Sequence, residues 1–377
     1  IKTISRTVSL SSSFNKTTKS DNWLIKSTLD PLTLSLSTIQ KDNSSVTIRE
    51  NRVMNTGLGV TYSYSFSRDN YIRPFKSFEK FPFFGIALSE TKIYYSPEKF
   101  STRMDLSESD ENKEMRTGII TDTYNLGMNR SYDLNYKITD NIKSHYKKSV
   151  SSDIDFYMDK YGYSKKDLLN NPSSGIVQSL SEDLNNSFSP DILDWLDPSI
   201  KYNPKYTWNI SNQTDENPSA NIENSTRVEG ALNFDPKKFI GIFYKPTSSN
   251  NKKNSRRRGR KNSSSKKESD PILKIENETL KGIFDDIYSY ASSISKISFK
   301  YTYNAKHRHS NIRSDQFIDY KYRLGLVWTP EDLINSDNGQ ISGYLHDFDR
   351  ELRVSVPTIT VIPNLSLTSI EFKSRSN

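Results

Sequence analysis

The chain has 377 residues, 33% hydrophobic and 12% aromatic, with 53 basic and 45 acidic side chains for a net charge of +8. That many aromatics argues against plain disorder, and so small an apolar share argues against a thick conventional core. Phe81 to Leu88 is about the longest apolar run, far short of the roughly 18 residues of a membrane helix, so crossing a membrane by helices is excluded. Crossing by strands is not, because only alternate residues need be apolar. The chain contains no cysteine, which removes disulfides, thiolate zinc and a Cys nucleophile and suits an oxidising compartment. Because it begins at Ile1 rather than Met, it is expected to be an internal or processed piece of a longer protein.

In chain order, weak strand patterns occupy 4–14, 23–29, 32–39 and 46–53. Strict alternation then sets Leu58, Val60, Tyr62, Tyr64 and Phe66 against Gly57, Gly59, Thr61, Ser63 and Ser65. Weak strands at 84–95 and 99–107 lead into Ile120–Met128, where Ile120, Tyr124, Leu126 and Met128 share a face. Tyr132, Leu134, Tyr136 and Ile138 alternate with Asp133, Asn135, Lys137 and Thr139, and a return strand follows the turn at Asp140–Asn141. Residues 153–190 break the pattern around Pro172 and Gly175 and are read as a structured loop excursion. Further strands carry Tyr206, Trp208 and Ile210, then Val228, Leu232 and Phe234 opposite Arg227 and Glu229, then Ile297, Phe299, Tyr301 and Tyr303 opposite Lys300 and Thr302. The longest alternation sets Ile318, Tyr320, Tyr322, Leu324, Leu326 and Trp328 against Asp319, Lys321 and Arg323, and weak strands at 350–356 and 365–373 end the chain. The total is roughly 14–16 strands, several of them 9–11 residues long, the length of a membrane-crossing strand rather than an average soluble one.

The net charge is local. Residues 247–268 hold Lys252, Lys253, Arg256, Arg257, Arg258, Arg260, Lys261, Lys266 and Lys267 against Glu268, leaving 44 bases and 44 acids elsewhere. The stretch 247–270 is read as a disordered basic loop. It lacks the aromatic platform of a single-strand nucleic-acid binder, so no nucleic-acid partner is expected and contact with anionic headgroups is the alternative. Residues 271–295 read as an amphipathic loop helix with Ile275, Leu280, Ile283, Ile287 and Ile294 on one stripe.

Little in the sequence points to chemistry. His307 and His309 share a face if extended but lack a third ligand, and are read as a solvated loop end; His145 and His346 are isolated. Asp347, Asp349 and Glu351 lack the glycine of a calcium loop. There is no phosphate loop or hydrolase elbow, so no catalytic, cofactor or metal residues are assigned and the chain is not read as an enzyme.

At 52–78 the segment RVMNTGLGVTYSYSFSRDNYIRPFKSF resembles the strand and Pro-Phe-Lys turn of the SprA/Sov family, the giant outer-membrane translocons of type 9 secretion, which is linked to gliding motility. IYYSPEKFSTRMDLSES (93–109), NRSYDLNYKITDNIKSHY (129–146), SPDILDWLDPSIKYNPKYTW (189–208) and NSTRVEGALNFDPKKFIGIFYK (224–245) resemble later family segments in the same order, covering about 52–305. Residues 306–377 match less clearly. The resemblance implies a barrel of about 36 strands, far more than this chain supplies. The expected fold is all-β, an arc of a very large antiparallel transmembrane β-barrel with long, partly helical loops. The expected function is passive export of folded cargo proteins through the bacterial outer membrane, and the expected partners are cargo, plug and lipoprotein subunits and outer-membrane lipid. On this reading Asp133, Lys137, Arg227, Glu229, Lys300, Asp319, Lys321 and Arg323 face the lumen. Tyr62, Tyr64, Tyr132, Tyr136, Trp208, Tyr301, Tyr303, Tyr322, Leu324 and Trp328 face lipid or form the aromatic girdle. Arg at Leu324 should then be costly and Arg at Thr302 cheap. Two alternatives remain open: a smaller outer-membrane barrel for lipopolysaccharide assembly or nutrient uptake, and a secreted β-sandwich adhesin with its aromatic face inward.

Overall fold

The computed structural model describes residues 3–77, 89–155, 158–159, 175–190, 193–210, 219–246, 275, 278–294, 296–313, 318–330 and 344–355. The strands are β1 (Ile4–Asn15), β2 (Leu32–Ser44), β3 (Ile48–Ser65), β4 (Tyr71–Ile72), β5 (Ile93–Tyr94), β6 (Lys99–Met115), β7 (Ile120–Lys137), β8 (Ile142–Asp153), β9 (Ile176–Phe188), β10 (Leu196–Ile210), β11 (Ser219–Phe234), β12 (Ile297–Arg313) and β13 (Tyr344–Ser355). Among the described residues the helices are α1 (Trp23–Thr28), α2 (Pro236–Phe243), α3 (Glu278–Ser293) and the single turn α4 (Tyr320–Arg323). β4 and β5 form a small separate hairpin. The other eleven strands make one antiparallel sheet in the order β1-β2-β3-β6-β7-β8-β9-β10-β11-β12-β13, an unbroken up-and-down meander. Among the described residues β1 and β13 each pair on one side only. No described helix is long and apolar enough to cross a membrane, which says nothing about crossing by strands.

The strands of the large sheet are 12 to 18 residues long. Such length follows from the composition: Ser, Thr, Asn and Lys hydrate one side while Leu, Ile and Tyr occupy the other, so alternation continues without a breaker. β10 holds two prolines, Pro198 near its start and Pro204 in its interior, where the ladder is broken. Pro204 has no N–H to donate, and the ladder to β9 skips from Tyr202 to Lys205.

Residues in register across neighbouring strands lie on the same face. Following the pairing from β2, Leu34 registers with Val60, Met104, Arg130, Val150, Leu180, Trp208, Ile222 and His309. This row defines an apolar face. Tyr62, Tyr64, Tyr132, Tyr136, Trp208, Tyr301 and Tyr303 all lie on it, as alternation requires. The opposite, polar face carries Asp133, Lys137, Arg227, Glu229, Lys300 and Thr302.

Part of the exposed apolar surface of this face forms a band that crosses the sheet obliquely, while Ile4, Val8, Met54, Ile120 and Tyr124 are exposed on the same face below it. At the β1 side it consists of Leu10, Phe14, Leu34, Leu36 and Leu58; at the other it consists of Ile200, Leu232, Phe299, Tyr301 and Leu352. His309 is the β12 residue in register with Leu34, yet the β12 band residues are Phe299 and Tyr301. The band therefore climbs by roughly one residue per strand from β2 to β12. With about 3.3 Å per residue and 4.8 Å between strands, that is a slope of about 35–40°. Below, "upper" denotes the end where β1 finishes, toward which the band climbs, and "lower" the end where β2 turns into β3.

Several sequence expectations change. Residues 23–29 hold helix α1, whose Asn22 side chain accepts from Leu24 N, not a strand. The excursion at 153–190 ends in a full strand, β9. Its apolar-face positions alternate Leu180, Glu182, Leu184, Asn186 and Phe188, and the interposed polar residues hid the period. The alternation at Ile318–Trp328 is not a strand: α4 forms there, and Gly325 adopts φ +71°. Tyr322, Leu324 and Trp328 are therefore not strand residues facing lipid, and Asp319, Lys321 and Arg323 are not lumen strand residues. The helix expected at 271–295 is α3. The basic loop 247–270 and the weak strand at 365–373 lie outside the described residues.

Candidate functional site

Two polar surfaces are candidates: the polar face of the sheet, and a covered notch on the apolar face. The polar face is a wall of small hydrated residues. One row runs Thr33, Thr61, Arg103, Ser131, Ser149, Ser181 and Thr207 to Glu223. A shallow hollow of about 360 Å³ opens there, floored by Ser131, Ser149, Ser151, Ser181 and Thr207. Another row alternates charge across strands, Asp133 to Lys147 to Asp183 to Lys205. Opposite charges directly across a ladder attract, so no field of one sign builds up.

Most charges on this face have partners. Glu229 accepts from Arg227 Nε at 2.6 Å and lies 3.7 Å from Lys300 Nζ and 4.0 Å from Lys201 Nζ. Three sequence-chosen residues, Arg227, Glu229 and Lys300, thus come together, with Lys201 as the member that sequence reasoning missed. Glu223 takes Lys306 at 3.0 Å and Arg308 at 2.6 Å. Asp133 meets His145 Nε2 at 2.9 Å, and Lys137 meets Asp140 at 2.7 Å.

The Lys137–Asp140 pair closes the β7–β8 turn. Burial pushes the Asp140 carboxyl up, but hydrogen bonds from Lys137 and Tyr94 outweigh it and hold it below its ordinary 3.8. A carboxylate depressed in the fold contributes stability that is complete above its unfolded pKa and lost as pH falls through the folded one. Amide exchange at Asn141 and Ile142, corrected for the intrinsic rate, is expected to stay flat down to about pH 4 and quicken below it. Asp140→Asn should remove that step.

The second surface lies below the band on the apolar face of β9–β12. Residues 318–330 fold back over it as a strap. Ile318 and Tyr322, one helical turn apart, insert into a cluster with Tyr206, Ile222 and Ile312. This i, i+4 pairing explains why the alternation at 318–328 forms a turn and not a strand. Beneath the strap Glu182 is almost buried and accepts two hydrogen bonds from Arg323, with Arg323 Nε at 2.8 Å and Tyr146 Oη at 3.1 Å. Lys148 Nζ stands 3.4 Å away. Buried Asn224 donates to the carbonyls of Tyr322 and Arg323 at 2.8 and 3.1 Å, and Tyr202 Oη donates to the Leu324 carbonyl. Tyr322 Oη donates to the His307 carbonyl at 3.1 Å, and Trp328 stacks on the His307 ring at 5.9 Å between centroids. His307 and His309 are each 2% exposed. They belong to a strand under a strap, which corrects the solvated loop end expected from sequence.

The strap's sharpest bend is at Gly325. Its φ of +71° costs a side-chain residue about 1–2 kcal/mol, and a Cβ there would sit 1.9 Å from Thr226 Oγ1. Gly325→Ala is expected to lift the strap from Thr226 and make 318–330 the first site cut in limited proteolysis, with the sheet intact.

A smaller apolar cluster repeats the arrangement at β7: Leu126, Met128 and Ile154 pack together, with Met104, Leu106 and Met158 against them. Among the described residues no group of three or more His, Asp or Glu side chains is placed to hold a metal. No protein-family model and no curated protein matches the chain.

Proposed function

We propose that this chain is part of the wall of a large outer-membrane β-barrel that conducts protein cargo, as the resemblance to the SprA/Sov family implies. The oblique apolar band carries the proposal. Strands of membrane barrels tilt by about 35–45°, so a level hydrocarbon layer marks each successive strand about one residue further along. The band's slope fits that tilt. In a soluble sandwich the band would instead need a second sheet to cover it.

On this reading the apolar face meets lipid and the polar face lines the lumen. The lumen wall is hydroxyl-rich, with carboxylates neutralised by neighbouring Lys and Arg. A passing folded protein of either charge would find hydration and no adhesive patch. Conduction is then passive, and gating falls to plug and lipoprotein partners. On this reading β1 and β13, each paired on one side only among the described residues, take further neighbours in the complete wall, because unpaired backbone in hydrocarbon costs several kcal/mol per group. The strap keeps Glu182 and Asn224, polar residues on the apolar face, away from lipid.

The test is fractionation of the native full-length protein, with an alkaline wash of the outer membrane. Retention after the wash, with release only by detergent, is the expected result. Appearance in the soluble or washed-off fraction would end the barrel reading and make the apolar face the interior of a surface-associated sandwich.

A further inference from the structure

We propose that helices α2 and α3 form an interfacial anchor, lying against the lipid surface at the upper rim with Ile283, Ile287 and Tyr290 immersed at headgroup level. The inference rests on the membrane reading of the apolar face and adds a lipid-binding element outside the strands.

Three observations carry it. First, the apolar band continues onto the helices without a break. Leu232 and Phe299 lie in register on the band, and Phe234 ends β11 on the same face. Phe234 packs against Phe239 of α2 at 5.5 Å between centroids; Trp195 contacts both, and Phe239 meets Phe243 at 5.5 Å. α2 therefore sits on the proposed lipid side of the rim. Asp235 caps it by accepting from Lys238 N, and Pro236 opens it, so the chain leaves the strand directly into this helix.

Second, α3 has three distinct faces. One packs on α2: Tyr244, the residue that ends α2, lies tilted against Phe284 with ring centroids 5.5 Å apart and donates to Asp285 at 2.6 Å, and Tyr288 lies by Gly241. A second is polar and exposed, with Gly282, Asp286, Ser289 and Ser293. The third is apolar and exposed: Ile283 51%, Ile287 43% and Tyr290 51%. A surface helix on a soluble domain needs one apolar face, for the core. A second apolar face, adjacent to the first and ending in Tyr, suits a helix lying in a membrane interface.

Third, the charge has the matching sign. The sequence joining the two helices carries nine bases against one acid at 247–268, the most basic stretch of the chain. Basic segments beside an interfacial helix are drawn to anionic headgroups within a Debye length.

The experiment uses the full-length protein with other cysteines replaced, reconstituted into phosphatidylethanolamine–phosphatidylglycerol vesicles. Single cysteines at Ile283→Cys, Ile287→Cys, Asp286→Cys, Ser289→Cys and Phe299→Cys carry an environment-sensitive fluorophore. Quenching is read from iodide in water and from spin labels placed shallow in the acyl chains. The expected result is blue-shifted emission quenched by the lipid label at 283, 287 and 299, with iodide quenching at 286 and 289. Lipid quenching at 299 with iodide quenching at 283 and 287 overturns the anchor and leaves the barrel standing. Shielding of 283 and 287 from both quenchers means that a protein partner covers the stripe, and also overturns it. Iodide quenching at 299 removes the membrane reading itself, and the anchor with it.

Discussion

Arg323→Leu is expected to cost about 3–5 kcal/mol, because it strands the Glu182 carboxylate beneath the strap with its main partner gone. Glu182 is 7% exposed. Lys148, at 3.4 Å, is too far to replace two direct hydrogen bonds, and Tyr146 offers only one. The strap also loses the contact of the Arg323 guanidinium with the Tyr206 ring at 5.8 Å. The measurement is detergent-solubilised unfolding in urea, read beside protease sensitivity of 318–330. The double change Glu182→Leu with Arg323→Leu should recover much of the loss, since two apolar groups need no partners. A single change that leaves unfolding unaltered would show that the pair is an exposed one, worth little.

The second large effect concerns the band. Leu232→Arg, at a band position 36% exposed, is expected to cost about 2–4 kcal/mol in a bilayer if it lies near the midplane. Thr207→Arg, on the polar face directly across from Glu223, should cost little and is expected to gain an ion pair. Heat resistance of the folded band on a gel, in lipid, reads both. Equal tolerance at both sites would show that the apolar face does not meet hydrocarbon. The sequence alone pointed this test at Leu324, which the structure places at the end of α4, where an added charge reports on the strap and not on lipid.

The fold was legible where alternation was unbroken. β3, β7, β11 and β12 follow from residues whose period is two over many positions, and every strand-borne Tyr chosen for the apolar face lies there. Face assignment is a local property: once a segment is a strand, its pleat decides which side each residue takes. The polar-face ion pairs were half legible. Arg227 and Glu229 are two apart on one strand, whereas Lys201 and Lys300 reach Glu229 only through the register of β10 and β12.

Three features were decided by the tertiary structure alone. β9 was hidden because Glu182 and Asn186 occupy apolar-face positions, and for buried Glu182 it is Arg323 of the strap that makes the burial tolerable. The segment at 318–328 alternates as well as any strand in the chain, yet it folds as a turn. Tyr322 and Ile318, one helical turn apart, pack together onto Tyr206, Ile222 and Ile312 of β10–β12, and Gly325 permits the bend. The slope of the apolar band is also invisible in any single segment, because it is a relation among registers set by eleven paired strands. The sequence by itself thus determined which side is apolar in the strands whose alternation is unbroken, such as β3, β7, β11 and β12, because the pleat is a local property. Where a polar residue such as Glu182 is hidden depends on a contact 141 positions away, with Arg323, and how the band is tilted depends on the registers of all the paired strands together.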